Sequence, residues 1–188
     1  YVGLPLAIEF SNYFNTVGYD KNIKRIKELK KGFDRTRELE KNILLKSNLE
    51  YAEDSDSISN CDVYIITVPT PIDKINKPNL EPLRAASQLI GSYLKKENVV
   101  IYESTVYPGA TEQFCVPILE KSSGLNYNKD FFCGYSPERI NPGDKDHTLK
   151  KIVKVTSGSN DKISHFVDKL YKKIIPAGTH RVSSIAVA

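Results

Sequence analysis

The clearest absence from this 188-residue chain is methionine, which does not occur even at position 1. We therefore interpret Tyr1 as a position inside a longer natural chain rather than as a natural start. Cysteine is scarce, since the 3 thiols are odd in number and lack the spacing of metal ligands. Cys61, Cys115 and Cys133 are typical of reduced thiols in a cytoplasmic protein, and they predict no metal site.

Long hydrophobic runs and a strong charge of one sign are missing as well. No apolar stretch reaches the length of a transmembrane helix, and no signal peptide is visible, so we expect no membrane association. The net charge of +4 is small and scattered, which argues against a nucleic-acid partner. The basic run over residues 21–31 is interpreted first as the solvated side of a helix and second as a phosphate-binding patch.

An alternation of strand patterns with helix patterns is what the chain does contain. The apolar runs Asp62–Val68 and Asn98–Tyr102 predict parallel strands that are buried on both faces. The amphipathic stretch Asp161–Lys172 predicts a helix, and Ile174–Ala177 predicts a last short strand. This alternation predicts an α/β fold with a Rossmann-like, doubly wound and mainly parallel sheet. We expect residues 1–188 to form one domain.

The first two candidate sites lie at the start of the chain. Gly3 opens a helix in the run Tyr-Val-Gly-Leu-Pro, where it could be the last glycine of a Gly-x-Gly-x-x-Gly dinucleotide fingerprint. Asp20 ends the next strand, near the roughly 20-residue spacing at which a carboxylate binds the ribose of NAD and repels the 2′-phosphate of NADP. A helix cap is the alternative for Asp20. Arg25 lies one turn further on, either near the adenosine or as a solvent-facing charge.

Two more strand exits carry hydroxyl groups. Thr67–Pro71 ends a predicted strand between two prolines, and the hydroxyl of Thr70 could reach a cofactor phosphate or ribose, with a simple turn as the alternative. Glu103–Gly109 follows the next strand with a Glu-Ser-Thr cluster. Thr105 and its neighbours are predicted near a nicotinamide, and the alternative is Ser/Thr capping of the helix at Thr111.

The last candidate site is the segment Ser136–Asp144, in which a Glu–Arg pair stands between two prolines at a strand exit. Glu138 is a candidate acid or base. Arg139 is a candidate ligand for a substrate phosphate or carboxylate, which an arginine binds in forked geometry. A surface salt bridge in a turn is the alternative.

Together these segments resemble the UDP-glucose/GDP-mannose dehydrogenase family. The opening run resembles the end of that family's Gly-x-Gly-Tyr-Val-Gly-Leu-Pro fingerprint, and Val63–Pro71, Glu103–Thr111 and Ser136–Asp144 match in order and spacing. The resemblance covers nearly the whole chain. Members that act on UDP-glucose have Pro-Glu-Phe-Leu-Arg-Glu-Gly in the last segment, whereas this chain has Pro-Glu-Arg-Ile-Asn-Pro-Gly. That version is similar to the branch that oxidises UDP-N-acetylhexosamines.

The resemblance implies an oxidation of the sugar C6 alcohol to a carboxylate, with NAD as the cofactor and surface polysaccharide precursors as the products. It implies that NAD is contacted by a set of residues near the strand exits, namely Tyr1, Val2, Gly3, Asp20, Arg25, Thr70 and Thr105. It further implies that Glu138 and Thr105 serve catalysis, that Glu138 orients or activates the hydrolytic water, and that Arg139 and Ile140 contact the UDP-sugar.

The family's nucleophilic cysteine, which traps the aldehyde as a thiohemiacetal and then as a thioester, follows a long helix that would begin near residues 183–188. None of the cysteines in this chain matches the motif of that nucleophile, so we expect the chain by itself to be catalytically inactive. The resemblance also implies a homodimer in the cytoplasm. At the N-terminal side we expect the sheet to lack its first, central strand in this chain.

Two other functions stay open at this point. One is a different Rossmann dehydrogenase of the 3-hydroxyacid or 6-phosphogluconate type, against which the segment Ser136–Asp144 argues. The other is a non-catalytic module that senses NAD, for which a Glu138–Arg139 segment would not be expected.

The role of Asp20 gives the first testable prediction. Substitution Asp20→Ala removes a carboxylate whose charge-assisted hydrogen bonds are each worth about 1.5–3 kcal/mol, so we expect the Michaelis constant for NAD to rise about tenfold or more. Steady-state kinetics at varied NAD concentration measures this change. An unchanged Michaelis constant would mean that Asp20 does not bind the ribose.

Overall fold

The computed structural model describes residues 2–72, 77–138, 149 and 151–188. The chain divides into two compact units, of which unit 1 comprises Tyr1–Asn60 with Ile140–Ile152 and unit 2 comprises Cys61–Arg139 with Val153–Ala188. The described strands form two sheets, one of two strands and one of five. Among the described residues, no helix combines the length and the apolar character that crossing a membrane requires.

The described part of unit 1 contains three α-helices and a two-stranded parallel sheet. The helices are α1 (Gly3–Ser11), α2 (Ile23–Lys30) and α3 (Lys41–Lys46), and the strands β1 (Val17–Tyr19) and β2 (Glu50–Ala52) pair in parallel. Apolar side chains from these helices and from the turn before β2 form one buried cluster: Ile8, Leu29, Leu44 and Leu49. Helix α2 ends before Gly32, whose φ of +76° is a left-handed conformation that glycine adopts without strain.

Unit 2 is built on five strands in the order β3-β4-β5-β6-β7. These strands are β3 (Val63–Ile66), β4 (Val99–Tyr102), β5 (Phe132–Tyr135), β6 (Lys154–Gly158) and β7 (Thr179–Arg181). The helices are α4 (Glu81–Tyr93), α5 (Val116–Ser123) and α6 (Asp161–Lys172), and a π-helix over Ala110–Cys115 leads into α5. All four residues of β4 are buried, as predicted for a central parallel strand, whereas β3 alternates buried with half-buried residues.

The predicted α/β fold with a mainly parallel sheet is confirmed, with one exception among the described strand pairs. Strand β6 runs antiparallel to β5, while the other pairs are parallel. The predicted strand at Ile174–Ala177 is wrong. The backbone N–H groups of Ile174 and Ile175 both donate to the Tyr171 carbonyl, so this apolar run prolongs the end of α6, and β7 follows it.

The antiparallel direction of β6 has a consequence for the chemistry at the ends of β4 and β5. Its first residue, Lys154, lies beyond the end of β5, and its Nζ is 2.5 Å from Oε2 of Glu103, which follows β4. Only 7% of the Lys154 side chain and none of the Glu103 side chain is exposed. Lys154 also donates to the Pro137 carbonyl at 3.2 Å, so one buried cation joins three segments.

Loss of this cation is expected to be costly. Substitution Lys154→Met leaves the Glu103 carboxylate buried without its partner, and breaking a buried ion pair in this way destabilises a protein by about 3–5 kcal/mol. Urea unfolding of the full-length protein measures the free energy of unfolding. The double variant Lys154→Met with Glu103→Gln removes both charges and should recover most of the loss.

The exposed pair between Lys96 and Asp130 provides the matched control, since its nitrogen–oxygen distance is 3.6 Å and the Lys96 side chain is 76% exposed. Water screens such a pair, so Lys96→Met should leave the unfolding curve nearly unchanged. If Lys154→Met had no larger effect than Lys96→Met, the ion pair would not stabilise the fold.

Candidate functional site

Hydroxyl groups hold the ends of β3 and β4 together at the carboxyl edge of the sheet in unit 2. The Thr70 hydroxyl donates to the Thr105 carbonyl at 2.6 Å, and the Ser104 hydroxyl donates to the Val68 carbonyl at 2.6 Å. Two segments that the sequence singled out separately are therefore joined by reciprocal hydrogen bonds. Ligands of open α/β sheets bind beyond this edge.

The segment that follows β5 is fixed at the same edge. The Ser136 N–H donates to the Tyr102 carbonyl at 3.0 Å, and the Ser136 hydroxyl donates to the Val155 carbonyl at 2.6 Å. Pro137, the next residue, accepts its hydrogen bond from Lys154. These bonds hold the backbone immediately before Glu138, whose side chain is half-buried.

Glu103 and Glu138 lie close enough for their charges to interact. Burial raises the pKa of Glu103, Lys154 and the Tyr171 hydroxyl lower it, and the charge of Glu138 adds to the rise, so the net shift is upward. The Lys154 ammonium group therefore opposes the effect of burial on a carboxyl group that water cannot solvate.

Lys154 is the residue of this site that sequence reasoning missed. It stands in the run Ile-Val-Lys-Val, at a position where a strand otherwise carries apolar side chains. A buried lysine requires a buried anion, and Glu103 stands in a polar cluster directly after another apolar strand. A lysine within one apolar strand and a glutamate directly after another therefore indicate a buried ion pair. The sequence does not show that these two residues are partners, because they lie 51 residues apart.

Helix capping does not account for the Glu-Ser-Thr cluster. The π-helix after it is preceded by Gly109, which has a φ of +91°, and no side chain of the described residues forms a cap hydrogen bond there. The Ser104 hydroxyl is used for the contact with Val68, and Thr105 is exposed. The capping alternative is therefore wrong, and the Thr105 hydroxyl stands at the surface of the sheet edge.

In unit 1, Asp20 directly follows β1 and is exposed. One of its carboxylate oxygens accepts a hydrogen bond from the Asn22 N–H at 2.8 Å. The N-cap of α2 is Asn22, whose side-chain oxygen accepts from the Arg25 N–H at 3.1 Å. The interpretation of Asp20 as the helix cap is therefore wrong, and its carboxylate lies at the end of the strand.

Arg25 is not the solvent-facing charge that the alternative interpretation describes. Its side chain is only 12% exposed, and Nη2 lies 2.5 Å from Oδ1 of Asp34. The Nη1 atom is buried, and it has no hydrogen-bond partner among the described residues. Burying a guanidinium nitrogen without a hydrogen-bond partner is energetically costly. A bound ligand with an acceptor atom at this place would remove that cost.

The remaining predicted site residues divide between described and undescribed positions. Val2 and Gly3 stand at the start of α1, where the first N–H groups of a helix are free of intrahelical bonds. Tyr1, Arg139 and Ile140 lie outside the described residues.

Two of the cysteines, Cys115 and Cys133, lack the features of a nucleophile. Both are buried and neither forms a disulfide with a described residue. Burial raises the pKa of Cys115 to about 11 and raises that of Cys133 as well. Thiols with raised pKa values are protonated at neutral pH and therefore poorly nucleophilic.

Known sequences resemble this chain along its full length. The model for the NAD binding domain of the UDP-glucose/GDP-mannose dehydrogenase family matches residues 1–175. A UDP-N-acetyl-D-glucosamine 6-dehydrogenase from Pseudomonas aeruginosa is 57% identical over 189 residues, which cover 100% of this chain and 45% of the relative. Protein CapL from Staphylococcus aureus is 53% identical over 188 residues, which cover 100% of this chain and 44% of the relative.

The fold has a solved counterpart in a UDP-D-ManNAc dehydrogenase from Pyrococcus horikoshii, with a TM-score of 0.87 and 28% identity over 98% of this chain and 45% of that one. The chain thus spans less than half the length of the curated relatives that it matches. The resemblance inferred from the motifs is confirmed, and so is NAD as the cofactor. This chain belongs to the UDP-glucose/GDP-mannose dehydrogenase family, and it carries that family's NAD-binding domain.

Proposed function

We propose that the protein containing this chain oxidises the C6 alcohol of a UDP-N-acetylhexosamine to the uronic acid, a four-electron oxidation in which two NAD per sugar are the oxidants. The observation that carries the proposal is the set of hydrogen bonds that joins the exits of β3, β4 and β5 at one sheet edge. It fixes Thr70, Thr105 and the backbone before Glu138 relative to one another. A relative that is 57% identical carries the name of a UDP-N-acetyl-D-glucosamine 6-dehydrogenase, which supports this substrate class.

The residues of unit 1 fit the adenosine half of NAD. The exposed Asp20 carboxylate can accept hydrogen bonds from ribose hydroxyls, and the buried Nη1 of Arg25 is a donor with no partner among the described residues. The start of α1 offers free backbone N–H groups, which favour a phosphate. In this proposal Tyr1, Val2 and Gly3 belong to the phosphate loop, as the resemblance implies.

The residues of unit 2 fit the reactive half. When bound, NAD supplies the acceptor for the hydride that leaves C6 of the sugar. Thr70 and Thr105 line the approach to it with hydroxyl groups on a rigid strand edge. Glu138 orients and deprotonates the water that releases the product, and Arg139 with Ile140 binds the UDP-sugar. The cysteine nucleophile is supplied by a part of the protein outside this chain.

Several wider predictions belong to the same proposal. The whole chain forms one NAD-binding domain, the full-length protein is a cytoplasmic homodimer, and its products are precursors of surface polysaccharides. The lack of a disulfide among the described cysteines supports a reducing compartment. The lack of the sheet's first strand in this chain also stays a prediction.

A substrate panel tests the proposed activity. The full-length protein is incubated with NAD and, separately, with UDP-N-acetylglucosamine, UDP-N-acetylgalactosamine, UDP-N-acetylmannosamine and UDP-glucose, and NADH absorbance is followed. We expect NADH with at least one N-acetylhexosamine and a much lower kcat/KM with UDP-glucose. No NADH with any UDP-sugar would overturn the proposal.

The role of Glu138 gives a separate prediction. A positioned general base contributes about 100-fold or more to a rate, so Glu138→Gln should lower kcat by at least this factor while the affinity for NADH stays unchanged. The matched control is Glu112→Gln, which alters an exposed glutamate on the π-helix. Equal effects of the two substitutions on kcat would remove Glu138 from the catalytic machinery.

A further inference from the structure

The loop that follows α2 is organised around a single buried carboxylate. Only 1% of the Asp34 side chain is exposed. Its Oδ2 accepts hydrogen bonds from the N–H groups of Glu38 at 2.9 Å and Leu39 at 3.1 Å. Its Oδ1 accepts from the Thr36 N–H at 3.0 Å and the Thr36 hydroxyl at 2.7 Å, as well as from Arg25. Both oxygens are therefore held in place by the loop itself.

This carboxylate is a permanent negative charge. Burial raises the pKa of Asp34, but the hydrogen bonds from Thr36, Arg25 and the backbone N–H of Leu39 outweigh it and lower the pKa to about 2. Asp34 is thus ionised at any pH at which the cofactor binds. Its charge lies 2.5 Å from Nη2 of Arg25 and neutralises the guanidinium locally.

The position of Arg25 makes this neutralisation relevant to cofactor choice. Arg25 lies in the first turn of α2, and the side chains of a helix lean toward its N-terminus, the end near Asp20. In dinucleotide sites an acid at this place binds the ribose 2′-hydroxyl of NAD, whereas a nearby arginine accommodates the 2′-phosphate of NADP. This chain has both the acid, Asp20, and the arginine, Arg25. The positive charge of Arg25 therefore has to be neutralised if the site is to bind NAD in preference to NADP.

We propose that Asp34 determines cofactor specificity by holding and neutralising Arg25, so that the site binds NAD and rejects NADP. Asp34 is a positioning residue that acts through Arg25. The hydrogen bonds of the loop fix Asp34, Asp34 fixes Nη2 of Arg25, and Nη1 is left to contact the adenosine ribose. This inference rests on the proposed roles of Asp20 and Arg25 in cofactor binding.

A purely structural Asp34 predicts something different. If the carboxylate only stabilised the loop, its loss would weaken the binding of NADH and NADPH by the same factor. The proposal predicts a change in the ratio of the two dissociation constants, because a freed Arg25 attracts only the cofactor that carries a 2′-phosphate.

Equilibrium titration of NADH and NADPH by fluorescence, with the full-length protein and no sugar substrate, measures that ratio. The wild-type protein is expected to bind NADH more tightly. Substitution Asp34→Asn should lower the ratio of the NADPH to the NADH dissociation constant by about tenfold. Substitution Arg25→Gln should raise it, because the Asp34 charge is then uncompensated, and the double variant should return close to the wild-type ratio.

The exposed pair between Arg35 and Glu28 in the same loop region gives the control, with 2.6 Å between Arg35 Nη2 and Glu28 Oε2. Glu28→Gln should leave the ratio unchanged. Should Asp34→Asn fail to fold, the rise with Arg25→Gln still tests the proposal. An unchanged ratio in both single variants overturns it, and so does a wild-type preference for NADPH. Because no sugar is present, these outcomes are separate from a failure of the UDP-sugar panel.

Discussion

The buried ion pair between Glu103 and Lys154 is the interaction on which the ligand edge of unit 2 depends. Burying either charge alone is unfavourable, so each side chain requires the other and the segments that carry them are held together. Lys154 reaches Glu103 because β6 runs antiparallel to β5 and therefore begins where β5 ends. The same ammonium group binds the Pro137 carbonyl, and thereby the segment that carries Glu138 is attached to the sheet.

Unit 1 also contains a buried carboxylate paired with a cation, but the carboxylate is stabilised differently. Asp34 accepts hydrogen bonds on both oxygens from its own loop, which lowers its pKa to about 2, whereas burial shifts the pKa of Glu103 upward. The carboxylate of Glu103 is stabilised mainly by Lys154. The carboxylate of Asp34 is stabilised by hydrogen bonds from its own loop, and it fixes the position of Arg25. The Glu103–Lys154 pair stabilises the carboxyl edge of the sheet in unit 2, and the Asp34–Arg25 pair neutralises the guanidinium group of Arg25.

Much of the fold could be predicted because its signals are local. The helix Asp161–Lys172 has its predicted bounds, since Asn160 caps it and lysines stand in its last turn. The strand before Asp20 and the apolar strands β3 and β4 follow from short runs of sequence. The ion pairs could not be predicted in this way, because Lys154 and Glu103 are far apart in the chain and Asp34 lies in a loop without periodicity. The strand predicted at Ile174–Ala177 was wrong because a short apolar run after a helix can either continue the helix or form a strand. Its sequence alone does not distinguish the two, and the tertiary packing decides between them.

We propose that the protein containing this NAD-binding domain oxidises the sugar from the alcohol to the acid. The ratio of NADH formed to UDP-N-acetylhexosamine consumed tests it most directly, measured by absorbance together with chromatography of the nucleotide sugars after complete conversion. We expect two NADH for each sugar consumed and a uronic acid as the product. A ratio of one, with an aldehyde or ketone as the product, would contradict it.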